Sequence, residues 1–221
     1  MKKLAATVMA LWCALVSAAF APFFAPAINV ISGVLASTWN PSDKSSTITL
    51  SSGNLVATIS TGFSDTGGVR ATTAKTGKYY FEVVFSGLAS CNTSGIGVAT
   101  LGQAIIVSPG SDSLSAGYYK DGSIIYNNST VQTGSSFTNG DIIGVAFDTT
   151  SHVAYFSKNN TWQLTADPST NSGGVSFVTT SAVSPKGFLQ FFVGSPACSV
   201  ELRASAGSQT YAPPTGFSSF N

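Results

Sequence analysis

The sequence predicts an all-β domain, a sandwich or a barrel, on three observations. Short apolar segments recur at roughly 8–12-residue spacing. Gly, Pro, Asn, Asp or Ser marks most of the gaps, as at Asp65-Thr66-Gly67-Gly68, Pro109-Gly110 and Asp121-Gly122. From Thr38 onward no segment carries a convincing helical period.

In chain order the expected strands are Ser46–Leu50, Leu55–Ser60, Gly68–Ala71, Gly77–Phe85, Ile96–Ala99, Ala104–Val107, Ala116–Tyr119 and Ser123–Tyr126. They continue with Asp141–Asp148, Val153–Ser157, Val175–Val178, Gly187–Val193 and Ser199–Ala204. The clearest pair is the hairpin within Gly140 to Trp162. Ile143, Val145 and Phe147 share one face of its first strand, and Ala154 and Phe156 one face of its second. Thr149-Thr150-Ser151-His152 is turn chemistry, and Asp148 can bond back to the chain. Both faces are largely apolar, which predicts a hairpin inside a packed sheet.

The N-terminus reads as an export signal. Lys2-Lys3 is a positive start, Leu4 to Val16 is apolar without charge, and small residues follow at Ser17, Ala18, Ala19 and Ala21. We expect a signal peptide over residues 1–21, an apolar Pro-containing linker over 22–37 and one domain over 38–221. The alternative is an uncleaved anchor, although Pro22 and Pro26 interrupt the apolar run. The expected location is extracellular or periplasmic, or else a membrane-anchored or virion-surface one. Cys13 leaves with a cleaved signal, so Cys91 and Cys198 remain, an even number that permits one disulfide, with two buried thiols as the alternative.

Charged residues are only 9% of the chain, against about 25% in an average soluble domain. Without Lys2 and Lys3 the basic residues are scattered, with no patch for a phosphate backbone, which argues against nucleic acid. His152 is the only histidine, sits in an expected turn and has no marked nucleophile. Glu82 has no neighbouring acid for glycoside hydrolysis. We therefore expect it to be buried beside a Lys, an Arg or a backbone amide, with Arg70 and Arg203 as the natural cations. No Cys/His group suits zinc, the acids are too dispersed for calcium, and no cofactor is expected.

Several segments resemble the SPRY family. Gly77-Lys78-Tyr79-Tyr80-Phe81-Glu82-Val83 looks like its Gly-x-Tyr-Tyr-aromatic-Glu-Val strand, and Gly95-Ile96-Gly97-Val98-Ala99 its following strand. Gly117-Tyr118-Tyr119-Lys120-Asp121-Gly122, the Gly140–Trp162 hairpin, Phe191 to Val200 and Tyr211-Ala212-Pro213-Pro214-Thr215-Gly216-Phe217 follow in the family's order. The short loops and low charge look most like copies in bacterial and phage proteins. The resemblance implies a two-sheet antiparallel β-sandwich of the concanavalin A-like class, and a non-enzymatic module whose loops at one end bind a protein or peptide. From the residues themselves, the binding candidates are Tyr118, Tyr119, Asp121, Tyr126, Asn127, Asn128 and Trp162. Aromatics beside amides can stack on a sugar or an apolar side chain while bonding its polar edge, so a glycan is the alternative ligand. A structural role in a virion or appendage is a third reading. Tyr118, Tyr126 and Trp162 would otherwise be inter-strand packing.

Overall fold

Period-2 alternation organises the centre of the molecule. Within Lys78–Ser86, Phe81, Val83 and Phe85 lie in the main core, while Tyr80 and Glu82 on the opposite face are buried as well. A strand sealed on both faces needs cover on both. An opposing sheet supplies one cover and the C-terminal tail the other.

The computed structural model describes residues 36–59, 66–178, 181–191 and 197–221. The expected signal peptide and nearly all of the linker lie outside these residues. In chain order the strands are β1 (Trp39–Lys44), β2 (Ile48–Ser51), β3 (Val56–Ile59), β4 (Thr66–Ala71), β5 (Lys78–Ser86), β6 (Cys91–Thr100), β7 (Ser115–Tyr119) and β8 (Ser123–Tyr126). They continue with β9 (Ser129–Thr133), β10 (Ile142–Asp148), β11 (Val153–Lys158), β12 (Thr161–Trp162), β13 (Val175–Ser176), β14 (Val183–Phe191), β15 (Cys198–Arg203) and β16 (Ser218–Ser219). One sheet runs β1-β4-β14-β6-β7-β8-β9. The other runs β12-β11-β10-β5-β15-β3-β2, with β13 beside β11 and β16 beside β5. The β16 pairing is parallel and takes over the edge of β5 at Tyr79 and Tyr80, where β15 has ended. Trp39, Ile96, Val98 and Tyr118 of the first sheet meet Phe81, Val145, Phe156 and Val200 of the second in one core. Each fully buried side chain of this size contributes roughly 1.5–3 kcal/mol. The expected two-sheet antiparallel sandwich is what forms.

The hairpin forms as expected, and its register sets Val145 opposite Phe156 and Phe147 opposite Ala154. Asp148 closes its turn, accepting from Thr150 N at 2.8 Å and Ser151 Oγ at 2.7 Å. Burial pushes its carboxyl up, but these hydrogen bonds and the Lys78 charge hold it below its ordinary value. His152 is exposed in the turn at φ 57°.

The Ala104–Val107 strand does not form. Residues 101–114 instead fold back over the outer face of the first sheet. Gly68 and Gly117 make room, since a Cβ on either would collide with the carbonyl of Ile105 or Pro109. The loop's carbonyls are taken by buried cations rather than by a ladder. Lys186 Nζ donates to Gln103 Oε1 (2.6 Å) and Ala104 O (2.8 Å). Arg70 donates to Thr100 O (3.1 Å) and Gln103 O (2.6 Å) and is clasped by Asp43.

Burial, with the Arg70 charge, lowers the Lys186 pKa to about 7, and Asp112 and Asp43 offset this only in part. Below that value folded and unfolded chains are both protonated there. Between it and the ordinary 10.5, only the unfolded chain holds the proton, so raising the pH stabilises the fold. We expect a gain of about 2 kcal/mol from pH 7 to 9. The window stops there because Tyr80, Tyr118 and Tyr119, buried and held above the ordinary phenol value, destabilise the fold once unfolded tyrosines ionise. Urea titrations across this range should show the gain, and Lys186→Met should flatten it; a flat wild-type profile would contradict the assignment.

Strands β1, β9, β12 and β16 were not expected. β1 (WNPSDK) and β9 (STVQT) have no apolar alternation, and the other two are only two residues long. β14 starts four residues earlier than expected, at Val183, despite Pro185.

Glu82 is fully buried and forms an ion pair with neither expected arginine, although Arg203 lies directly opposite it on β15. It accepts from Thr210 N (2.7 Å), Tyr211 N (2.8 Å) and Tyr80 Oη (2.9 Å), the first two being the backbone-amide partners that were the alternative. Arg70 pairs with Asp43 and Arg203 with Glu201. Glu82 thereby ties the C-terminal tail to the outer face of the second sheet, where Phe217 packs with Tyr80, Ala146 and Tyr155. Cys91 and Cys198 are joined by a disulfide, with Cα atoms 6.1 Å apart, that bridges the two sheets across a separation of 107 residues.

Candidate functional site

At one end of the sandwich four connections converge: Gly87 to Ser90 between β5 and β6, Lys120 to Gly122 between β7 and β8, Gly134 to Asp141 between β9 and β10, and Asn159-Asn160 between β11 and β12. The β7–β8 turn follows from its sequence. Gly122 takes φ 95°, and Asp121 Oδ1 accepts from Ser123 N at 2.9 Å. Residues 134–139 bind the other turns together. Phe137 N donates to Lys120 O (2.9 Å), Lys158 Nζ donates to Ser136 O (2.8 Å), and Ser135 N donates to Gln163 Oε1 (2.7 Å). Leu88 N donates to Asn139 Oδ1 at 2.8 Å.

Two depressions flank this segment. The larger, about 410 Å³, has an apolar floor of Leu88, Ala89 and Phe137, rimmed by Lys120, Asp121, Ser136, Thr138 and Asn139. The smaller, about 280 Å³, is lined by Ser135, Lys158, Asn159, Thr161 and Gln163. Most of the charge here is used internally. Lys120 Nζ donates to Leu88 O and Cys91 O, and burial lowers its pKa against the pull of Asp121. Burial also raises the Asp141 carboxyl, but Thr138, Asn159 and Lys158 hold it below its ordinary value. Asp121 is exposed at the rim. Such a surface can receive an apolar side chain and hydrogen-bond the chain that carries it.

The candidates drawn from the sequence are not brought together. Asp121 lines the larger depression. Trp162 lines neither depression, although its neighbours Thr161 and Gln163 line the smaller one; it is half-buried, edge-on to Tyr80 at 6.3 Å between ring centres. Tyr118 and Tyr119 are interior, with hydroxyls donating to Ser135 O and Pro109 O. Tyr126 is half-buried against the main core. Asn127 and Asn128 form the β8–β9 turn, with φ 49° and 58°. That turn sits at the far end of β8 from Asp121, about 13 Å along the strand. Proximity in sequence concealed this, because a strand carries its two flanking turns to opposite ends of a sheet. Leu88, Ala89, Phe137 and Asn139 were missed; the one available signal was a lone Phe137 inside the polar Ser135–Gly140 segment. Among the described residues no His, Cys, Asp and Glu group could hold a metal.

A family model described as the SPRY domain matches residues 78–195. Ran-binding protein 10 of Danio rerio is 34% identical over 142 residues, covering 61% of this chain and 24% of that protein. Ran-binding protein 9 of Homo sapiens is 35% identical over 142 residues, covering 61% of this chain and 20% of that protein. The chain thus spans about a quarter or less of the length of these curated relatives. They are animal proteins, so the expected likeness to bacterial and phage copies finds no support in them. Among solved structures, the SPRY domain of human HERC1 superposes with TM-score 0.59 at 18% identity, covering 79% of this chain and 99% of that one. Stonustoxin superposes with TM-score 0.57 at 22% identity, covering 76% of this chain and 27% of that one. With the family model matching more than half of the sequence and the sandwich in place beneath it, the chain belongs to the SPRY domain family.

Proposed function

We propose that this chain is an exported, non-enzymatic binding module that recognises a protein or peptide at the loop end carrying the two depressions. The observation that carries the reading is the 410 Å³ depression, apolar in its floor and polar in its rim, on a tightly cross-bonded loop frame. A preorganised surface of this kind binds without much ordering of its own. The groups considered for catalysis lie elsewhere: Glu82 is sealed by three donors, and His152 is in a turn at the opposite end of its hairpin. The animal relatives are named for binding Ran, which supports protein binding as the class and does not identify this chain's partner. The signal-like N-terminus and the inter-sheet disulfide support export to an oxidising compartment. A glycan is less well supported, because Tyr118 and Tyr119 have no exposed face for stacking.

Ala89→Arg fills the larger depression from an exposed position, and Asp121→Ala removes its rim carboxylate. Partners captured on the wild-type chain should bind both variants at least tenfold more weakly, about 1.4 kcal/mol or more. Unchanged affinities for every captured partner would move the function away from this end.

A further inference from the structure

We propose that β9 is a docking edge for an extended, uncharged peptide segment of a partner protein, which adds as a strand beside it and runs on to the depressions at Ser135 and Ser136. This deepens the reading above and rests on it.

Among the described residues β9 pairs with β8 alone and ends the first sheet. An edge strand presents backbone donors and acceptors, and natural edges are usually blunted by charge, proline, brevity or a bulge. The other edges here are blunted. β1 carries Pro41, Asp43 and Lys44, β12 has two residues, and the Ile48 carbonyl of β2 is covered by Lys44 Nζ at 2.7 Å. β9 has no charge and no proline, and four of its five residues are exposed. Its one blunting feature is a bulge, which interrupts the ladder at a single residue. Ile124 pairs with Gln132 and Ile125 with Thr130, so Val131 is the extra residue, 45% exposed. Val131 offers an apolar contact on an otherwise hydroxyl- and amide-bearing strand, which suits a neutral peptide with an aliphatic side chain opposite it.

Continuity favours a peptide over a second copy of the chain. β9 passes directly into Gly134–Asn139, the segment flanked by the two depressions. A strand of five residues is about 17 Å long. Two such strands paired between copies would cover far less than the roughly 1,200 Å² of a stable interface. A peptide that continues into the larger depression gains the missing contacts.

The test selects 12-residue peptides from a random displayed library on the full chain, then follows β9 amides by hydrogen exchange and affinity by calorimetry. Bound peptide should protect the amides from Thr130 to Thr133. Val131→Lys and Thr133→Lys, both at exposed positions, should weaken binding at least tenfold, and methylating alternate backbone nitrogens of the peptide should abolish it. The exchange pattern is read on the wild-type protein, so it decides the matter even if a lysine variant fails to fold. Protection confined to residues 88–89 and 136–139, with affinity untouched by the lysines, would overturn the edge proposal and leave the depression reading standing. Protection of β9 that rises with protein concentration alone would assign the edge to a second copy and overturn it. A library that yields no binder counts against both.

Discussion

Reduction of the Cys91–Cys198 disulfide should cost about 5 kcal/mol of unfolding free energy, the largest single effect expected in this molecule. The two sulfurs close a loop with a sequence separation of 107 residues. In the chain-entropy account a cross-link restricts the unfolded ensemble, and a loop of this length is worth about 5 kcal/mol. The bridge also joins β6 of one sheet to β15 of the other, so losing it loosens the contact between layers as well as freeing the unfolded chain. Both cysteines are buried, and a strong reductant under mild denaturant will be needed to open the bond. Urea unfolding of oxidised and reduced protein, with Cys91→Ala/Cys198→Ala as a reduced mimic, measures the difference. Equal midpoints for all three would show that the bridge contributes nothing. Hydrogen exchange should locate the loosening at Leu88–Ser90, which precedes Cys91 and includes Leu88 and Ala89 of the larger depression.

Glu82→Ala should destabilise the fold by about 4 kcal/mol and release the C-terminal tail. The substitution leaves the Thr210 and Tyr211 amides and the Tyr80 hydroxyl without their acceptor. An orphaned buried donor costs about 1–3 kcal/mol, more when the lost bond was to a charged group. Thr210 is exposed, so water can replace part of that loss. Gln209 Nε2 still donates to the Tyr80 and Ala204 carbonyls, so detachment is expected to begin beyond it, toward Phe217. Denaturation curves give the energy, and proteolysis near Ala212–Gly216 reports the release. A Glu82→Gln variant should recover part of the loss, since its amide oxygen keeps one acceptor. If Glu82→Ala unfolds with the wild-type midpoint and its tail stays protected, the carboxylate is not the anchor described.

The hairpin and the central strand were legible because their information is local. Phe81, Val83 and Phe85 alternate with residues of the other face, and Asp148 precedes a run of turn formers. β8 was read with its observed bounds for the same reason. β9 and β1 were not legible, because they pair through backbone groups that every residue owns, and their side chains carry no pattern. Ala104–Val107 was misread because four small and aliphatic residues look like a strand until Lys186 and Arg70 reach their neighbourhood from distant strands. The candidate site was legible only at Asp121. Tyr118 and Tyr119 attracted attention as aromatics beside a turn, yet the strand they belong to takes both into the interior.

Sequence by itself determined the class of this protein: many short strands and glycine-marked turns leave an all-β sandwich or barrel, because period-2 burial and turn chemistry act over a few residues, and the serial resemblance to the SPRY family selected the two-sheet sandwich. Tertiary structure alone decided which acceptor meets which donor. Glu82 found backbone amides 128 and 129 residues away rather than an arginine, and the two ends of the four-residue β8 placed Asp121 and Asn128 out of each other's reach. Long-range partners are set by sheet order and loop closure, which no short window of sequence encodes.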